Sequence, residues 1–96
     1  MLIIAGHYAV EPAERNAYVE AFGDLVQRAR LAPGCLDVAI TADVGDPARV
    51  NNYERWGNEE ALAAFRAVAD PPKLDVEMRD MRMSKFHVDH ESDPFD

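Results

Sequence analysis

Cysteine is almost missing from this chain: Cys35 is the only one in 96 residues. No internal disulfide framework and no Cys-based metal site can therefore be assembled. With no basic group beside it in sequence, Cys35 reads as a small apolar filler and not as a nucleophile. Basic charge is scarce too. Ten Lys and Arg against eighteen Asp and Glu leave a formal charge of −8, which argues against nucleic acid and anionic membrane surfaces as partners, because both need clustered cations. Long hydrophobic runs are absent. The N-terminal MLIIAGHYAV is apolar but short, lacks a basic leader and contains His7 and Tyr8, so it is expected to be neither a signal peptide nor a membrane span, and a cytoplasmic protein is expected.

What remains is an ordinary globular composition, 48% hydrophobic and 29% charged, enough for one domain. That domain is expected over residues 1–90. Residues 91–96 read as an acidic tail: Asp89, Glu91, Asp93 and Asp96 come with no Lys or Arg among them, and such a run is expected to be solvated. A chain of this length buries only a modest share of its surface alone, so a partner subunit would help it.

Residues 2–10 have the pattern of a strand, with Leu2, Ile4, Tyr8 and Val10 on one face and Ile3, Ala5, His7 and Ala9 on the other. A helix can begin at Pro12, carrying Tyr18, Phe22, Leu25, Val26 and Ala29 on one stripe, and Pro33-Gly34 marks its end. A second strand over residues 35–44, the Gly45-Asp46-Pro47 turn and a third strand over residues 48–56 make an antiparallel hairpin, expected at the centre of the sheet. Asn58 can cap the next helix, with Glu59 and Glu60 against its dipole and Ala61, Leu62, Phe65, Val68 and Ala69 on its apolar stripe. Asp70-Pro71-Pro72 breaks that helix. A shorter helical piece is expected to follow, burying Leu74, Met78 and Met81, and then a last strand from Met83 to Asp89.

The order is β-α-β-β-α-β, an α+β ferredoxin-like sandwich whose right-handed crossovers put the helices on one face of a four-stranded antiparallel sheet. The other face is bare. Leu2, Ile4, Tyr8 and Val10 are assigned to it, and that much apolar surface predicts a homodimer packed sheet to sheet.

The third strand ends in Asn52-Tyr53-Glu54-Arg55-Trp56. Alternation places Asn52, Glu54 and Trp56 on one side, a row that suits a pocket, and Arg55 on the other, where it is expected to serve the dimer. Trp56 also fits a plain core position, whereas a buried Asn52 needs either a pocket or polar neighbours. Glu54 reads as a base or as half of a structural ion pair or backbone contact. His7, assigned to the pocket face with Ala5 and Ala9, reads as a proton acceptor or as a hydrogen-bonded core histidine.

Pro33-Gly34-Cys35-Leu36, the Asp46-Pro47 turn, and Tyr53-Glu54-Arg55-Trp56 followed by Glu60-Ala61-Leu62 together resemble the antibiotic biosynthesis monooxygenase family of the dimeric α+β-barrel superfamily. The resemblance covers nearly the whole chain and is most specific from Pro33 to Phe65. It implies a homodimer with one pocket per subunit between sheet and helices. It also implies oxygenation of a phenol or quinol by molecular oxygen as co-substrate, with no metal, flavin or haem. Asn52 and Trp56 match the four-residue spacing of an Asn and a Trp in the family's polyketide oxygenases, which would make Asn52 a donor to a developing oxyanion and Trp56 a packing surface for the ring or for oxygen. Leu62 stands where those enzymes carry a tyrosine, and Arg79 lies near their later arginine.

Haem-degrading members carry a first-strand Asn where this chain has His7, and an axial His in a region, residues 70–81, that holds none here, so haem loses its main anchor. Related quinol oxygenases also carry a histidine where this chain reads FRAVADPP. The expected site is thus Asn52, Trp56 and His7 as catalytic groups, with Glu54, Leu62, Phe65 and Phe22 around a small aromatic substrate. Two alternatives stand beside the oxygenase: an isomerase or other proton-transfer enzyme, which would turn over without oxygen, and a non-catalytic dimer that binds its ligand unchanged.

Overall fold

Seven elements follow one another in a computed structural model that describes residues 1–96: β1 (Leu2–Ala9), α1 (Pro12–Ala21), α2 (Gly23–Leu31), β2 (Cys35–Ala42), β3 (Arg49–Trp56), α3 (Glu59–Val68) and β4 (Arg79–His87). The strands form one antiparallel sheet in the order β2-β3-β1-β4. The α+β ferredoxin-like fold expected from the sequence is present. The hairpin β2-β3, however, is not central: β1 and β3 form the middle pair, and β2 and β4 are edges.

The first-strand faces are the reverse of those expected. β1 pairs with β3 in the register Leu2 to Trp56, Ile4 to Glu54 and Gly6 to Asn52, and residues directly opposite across an antiparallel pair share a face. Leu2, Ile4, Tyr8 and Val10 therefore lie beneath the helices, all buried. Leu2 and Ile4 pack with Ala29, Val38, Trp56 and Leu62, while Tyr8 and Val10 pack with Tyr18 and Val50. The bare face instead carries Ile3, Ala5 and His7 of β1, together with Tyr53 and Arg55 of β3 and Phe86 of β4, by the same registers.

Pro12 does open α1, but the helix divides at Phe22. There the backbone tightens to φ −86°, ψ 0°, and the Phe22 amide donates to the Val19 carbonyl at 3.1 Å just before Gly23, a weak helix former. Gly34 has φ +81°, and a Cβ on it would stand 2.4 Å from the Ala61 Cβ, so glycine lets the start of β2 touch α3. Asn58 caps α3 as expected, its side-chain oxygen accepting from the Ala61 amide at 2.8 Å. Leu62 is buried on that helix, whereas Val68, expected on the same stripe, is 69% exposed.

No helix forms after Pro71-Pro72. Residues 71–78 run as an irregular strap between two aspartates with positive φ, Asp70 (45°) and Asp80 (52°), and β4 starts at Arg79, ahead of the expected Met83. Each proline disfavours helical backbone at the residue before it, here Asp70 and Pro71, and Leu74, Met78 and Met81 stay substantially exposed instead of buried. The hairpin loop is held by Asp43, whose carboxylate accepts from the Gly45 and Asp46 amides and from Asn51 Nδ2 at 2.9 Å each. These bonds hold its carboxyl below the usual range. At the other end, the tail is not wholly free: Glu91 pairs with Arg55 on the bare face at 2.6 Å. No helix is long and apolar enough to cross a membrane.

Candidate active site

Between the sheet and its helices lies a cavity of about 320 Å³, and 11 of the 15 residues around it are hydrophobic. Its floor comes from Tyr8 of β1, Val38 and Ile40 of β2, and Asn52, Glu54 and Trp56 of β3. Its roof comes from Tyr18, Phe22, Leu25 and Ala29 of α1 and α2, from Phe65, Arg66 and Ala69 at α3, and from Pro71 and Met78 of the strap. An apolar cavity with a few converging polar groups is the usual form of a small-molecule site.

The row on β3 is a connected unit. Trp56 Nε1 donates to Glu54 Oε1 and Asn52 Nδ2 donates to Glu54 Oε2, both at 3.1 Å. Glu54 makes no ion pair with Lys or Arg, so neither structural alternative considered for it is realised: its partners are these two side chains. Each carboxylate oxygen has room for a second hydrogen bond, and the side chain opens on the cavity. Trp56 is both core and wall, fully buried, with its ring 5.5 Å from that of Phe65 at an interplanar angle of 31°. Asn52 has spent one amide hydrogen on Glu54 and keeps the other.

Of the expected site residues, Asn52, Glu54, Trp56, Phe65 and Phe22 meet at this cavity. Leu62 does not; it lies behind the wall in the core with Trp56 and Leu2. Nor does His7, which faces the other side of the sheet and sits by Asp46, Arg49 and Asp80. Its removal from the site follows from the β1 register. Arg79 begins β4 and does not line the cavity, where the cation is Arg66.

Three wall residues with polar groups lie outside the site expected from sequence: alternation assigns Tyr8 to the bare face, Tyr18 belongs to the core stripe, and Arg66 carries no signal beyond its place on a helix. Tyr8 and Tyr18 join hydroxyl to hydroxyl at 2.8 Å with rings edge to face. Burial first, then the Tyr18 contact, pushes the Tyr8 phenol well above its ordinary range. Cys35 stays outside the cavity, and burial followed by the nearby Asp37 and Glu54 charges raises its thiol, the opposite of what a nucleophile needs.

The antibiotic biosynthesis monooxygenase family model matches residues 1–70. The chain belongs to that family. Solved structures share its fold at low identity. A Nitrosomonas europaea protein named for the same family is 19% identical, covering 92% of this chain and 98% of its own, with a TM-score of 0.69. A Pseudomonas aeruginosa protein is 17% identical over 93% and 94%, with a TM-score of 0.71. The Mycobacterium tuberculosis haem degrader MhuD, which holds two haems in its active site, is 14% identical over 97% and 100%, with a TM-score of 0.68. No curated protein matches the sequence. The wall of the present cavity offers neither histidine nor cysteine, so the residues here do not fit haem held by either of those ligands. No three His, Cys, Asp or Glu side chains stand where they could together hold a metal ion.

Proposed function

We propose that the protein is a monooxygenase of an electron-rich aromatic bearing a phenolic hydroxyl, with molecular oxygen as co-substrate and the substrate as the only reductant. The observation that supports this reading most directly is the Glu54 carboxylate, anchored by Asn52 and Trp56 and otherwise facing an apolar cavity. The aromatic ring lies against the wall that Trp56, Phe65 and Phe22 form, with its hydroxyl donating to Glu54.

As an electron passes from the ring to oxygen, the phenol becomes a strong acid and its proton moves to the Glu54 carboxylate. The remaining amide hydrogen of Asn52 points a donor at the reduced oxygen. Superoxide and ring radical then combine at a ring carbon bearing hydrogen, forming a carbon–oxygen bond. Glu54 returns its proton to the ring peroxide, and the hydroperoxide so formed loses water across its O–O bond and that C–H bond, leaving a carbonyl. Phenol and oxygen give quinone and water. The substrate supplies all four electrons, one oxygen atom enters the product and the other leaves as water. The protein's share is to position, to take and return a proton, and to keep bulk water from the radical pair.

A homodimer through the bare face belongs to the same reading, now resting on Ile3, Ala5, Tyr53 and the 52%-exposed Phe86 in place of the buried residues first assigned there.

Oxygen uptake with a panel of naphthols and dihydroxynaphthalenes, corrected for spontaneous oxidation, tests the activity. Labelled oxygen should appear once in each quinone formed, and Glu54→Gln should slow turnover about 100-fold while the fold is kept. Equal rates in Glu54→Gln and the unaltered protein would remove Glu54 from the chemistry. Turnover of a substrate without oxygen would assign the cavity to proton transfer instead.

A further inference from the structure

Apart from Arg66 of α3, the polar groups of the cavity stand at two separate places, and they differ in kind. At one, Glu54 can only accept. At the other, the Tyr8 and Tyr18 hydroxyls hold two protons between them and spend only one on each other, at 2.8 Å. The second goes from Tyr18 Oη to the Met78 sulfur at 3.6 Å, and a thioether is a weak acceptor. Met78 is half-exposed and belongs to the irregular strap, so a ligand can displace it at small cost. Both tyrosines are themselves nearly buried, at 7% and 6% exposure. A strong donor left on a poor acceptor inside an apolar wall is a vacancy for a better one.

We propose that Tyr18, backed by Tyr8, is a specificity-determining anchor for a carbonyl oxygen, on a substrate whose hydroxyl lies at the Glu54 end and whose carbonyl lies at the tyrosine end. This rests on the aromatic-substrate reading above. A neutral carbonyl suits the position better than an anion does, because an anion would have to be desolvated there. Tyr8 also stays protonated, so the pair remains a donor.

Calorimetric titration with 6-hydroxy-1-tetralone and with 5,6,7,8-tetrahydro-2-naphthol, which keeps the rings and hydroxyl but lacks the carbonyl, tests the anchor. The unaltered protein should bind the tetralone about tenfold more tightly, the worth of one buried hydrogen bond. Tyr18→Phe should bring the two ligands to within about twofold of each other. Glu54→Gln should weaken both alike. Equal binding of both compounds by the unaltered protein overturns the anchor even if Tyr18→Phe fails to fold, and so does a preference that survives Tyr18→Phe. Binding of neither compound sinks the aromatic site itself, a result distinct from failure of the tyrosine pair alone.

Discussion

Replacing Trp56 by Phe isolates what holds Glu54 in place. The indole is fully buried against Leu2, Ile4, Ala29, Val38 and Leu62, and Phe keeps most of the ring while vacating about 40 Å³, which at about 24 cal/mol per Å³ costs about 1 kcal/mol. The lost N–H bond to the Glu54 carboxylate would be worth about 1.5–3 kcal/mol in a dry site. Here Glu54 is half-buried and opens on the cavity, where water can replace the donor, so about 1 kcal/mol is expected. The total of about 2 kcal/mol corresponds to a fall in Tm of about 10 °C for a domain of this size. A double-mutant cycle with Glu54→Ala separates the two parts: in that background Trp56→Phe should cost only its packing share, leaving a coupling of about 1 kcal/mol. Urea unfolding followed by far-ultraviolet circular dichroism reads all four proteins, at one protein concentration so that association does not enter. A coupling below about 0.3 kcal/mol would refute the claim that the indole anchors the carboxylate, because that is the additivity expected of independent sites.

Four further outcomes follow from the glycines, the buried phenol and the α3 cap. A Cβ at Gly6 would stand 1.9 Å from the Arg82 carbonyl oxygen of β4, so Gly6→Ala should cost about 3 kcal/mol in chemical denaturation as the edge strand is forced outward. Gly23→Ala, with nothing within 4 Å of its Cβ, should instead gain about 0.5 kcal/mol. Because the Tyr8 phenol is raised in the folded chain, the unfolded chain ionises it first: stability from this group is complete below about pH 10 and declines as pH rises above that. Ultraviolet titration should show a phenol that ionises later in the folded protein than after unfolding, and Tyr8→Phe should abolish that late step. Asn58→Ala removes the α3 cap and should lower stability by about 1 kcal/mol in the same denaturation assay.

The parts of the fold legible in sequence are those in which local chemistry leaves one solution. Pro12, Asn58 and the Gly45-Asp46-Pro47 turn each bring their own boundary signal, and the third strand has only one face that can hold an amide, a carboxylate and an indole together. Where two local rules competed, the reading failed. Leu74, Met78 and Met81 have helical spacing, yet adjacent prolines and a strap that must reach the far edge of the sheet leave no helix to carry them. Phe22 continues the apolar stripe, but Gly23 behind it lets the helix divide there without shifting Tyr18 or Ala29 out of the core.

The first strand shows why a candidate base can move from one residue to another without any change in motif. Both its faces are apolar, so period-two alternation supplies two equivalent answers and no means of choosing. The choice comes from β3: once Trp56 must be buried under α3, its register partner Leu2 goes with it, and every even-numbered residue of β1 follows. That single parity puts Tyr8 at the cavity and His7 on the bare face, beyond reach of anything bound beneath the helices. The polar partners of Glu54 lie on its own strand two residues to either side, so its place in the site needs no such choice. A histidine is therefore not what the site is organised around. If His7→Ala left oxygen uptake unchanged while Glu54→Gln removed it, the register would be confirmed by chemistry. The reverse result would mean that β1 and β3 pair one residue out of step with the structure.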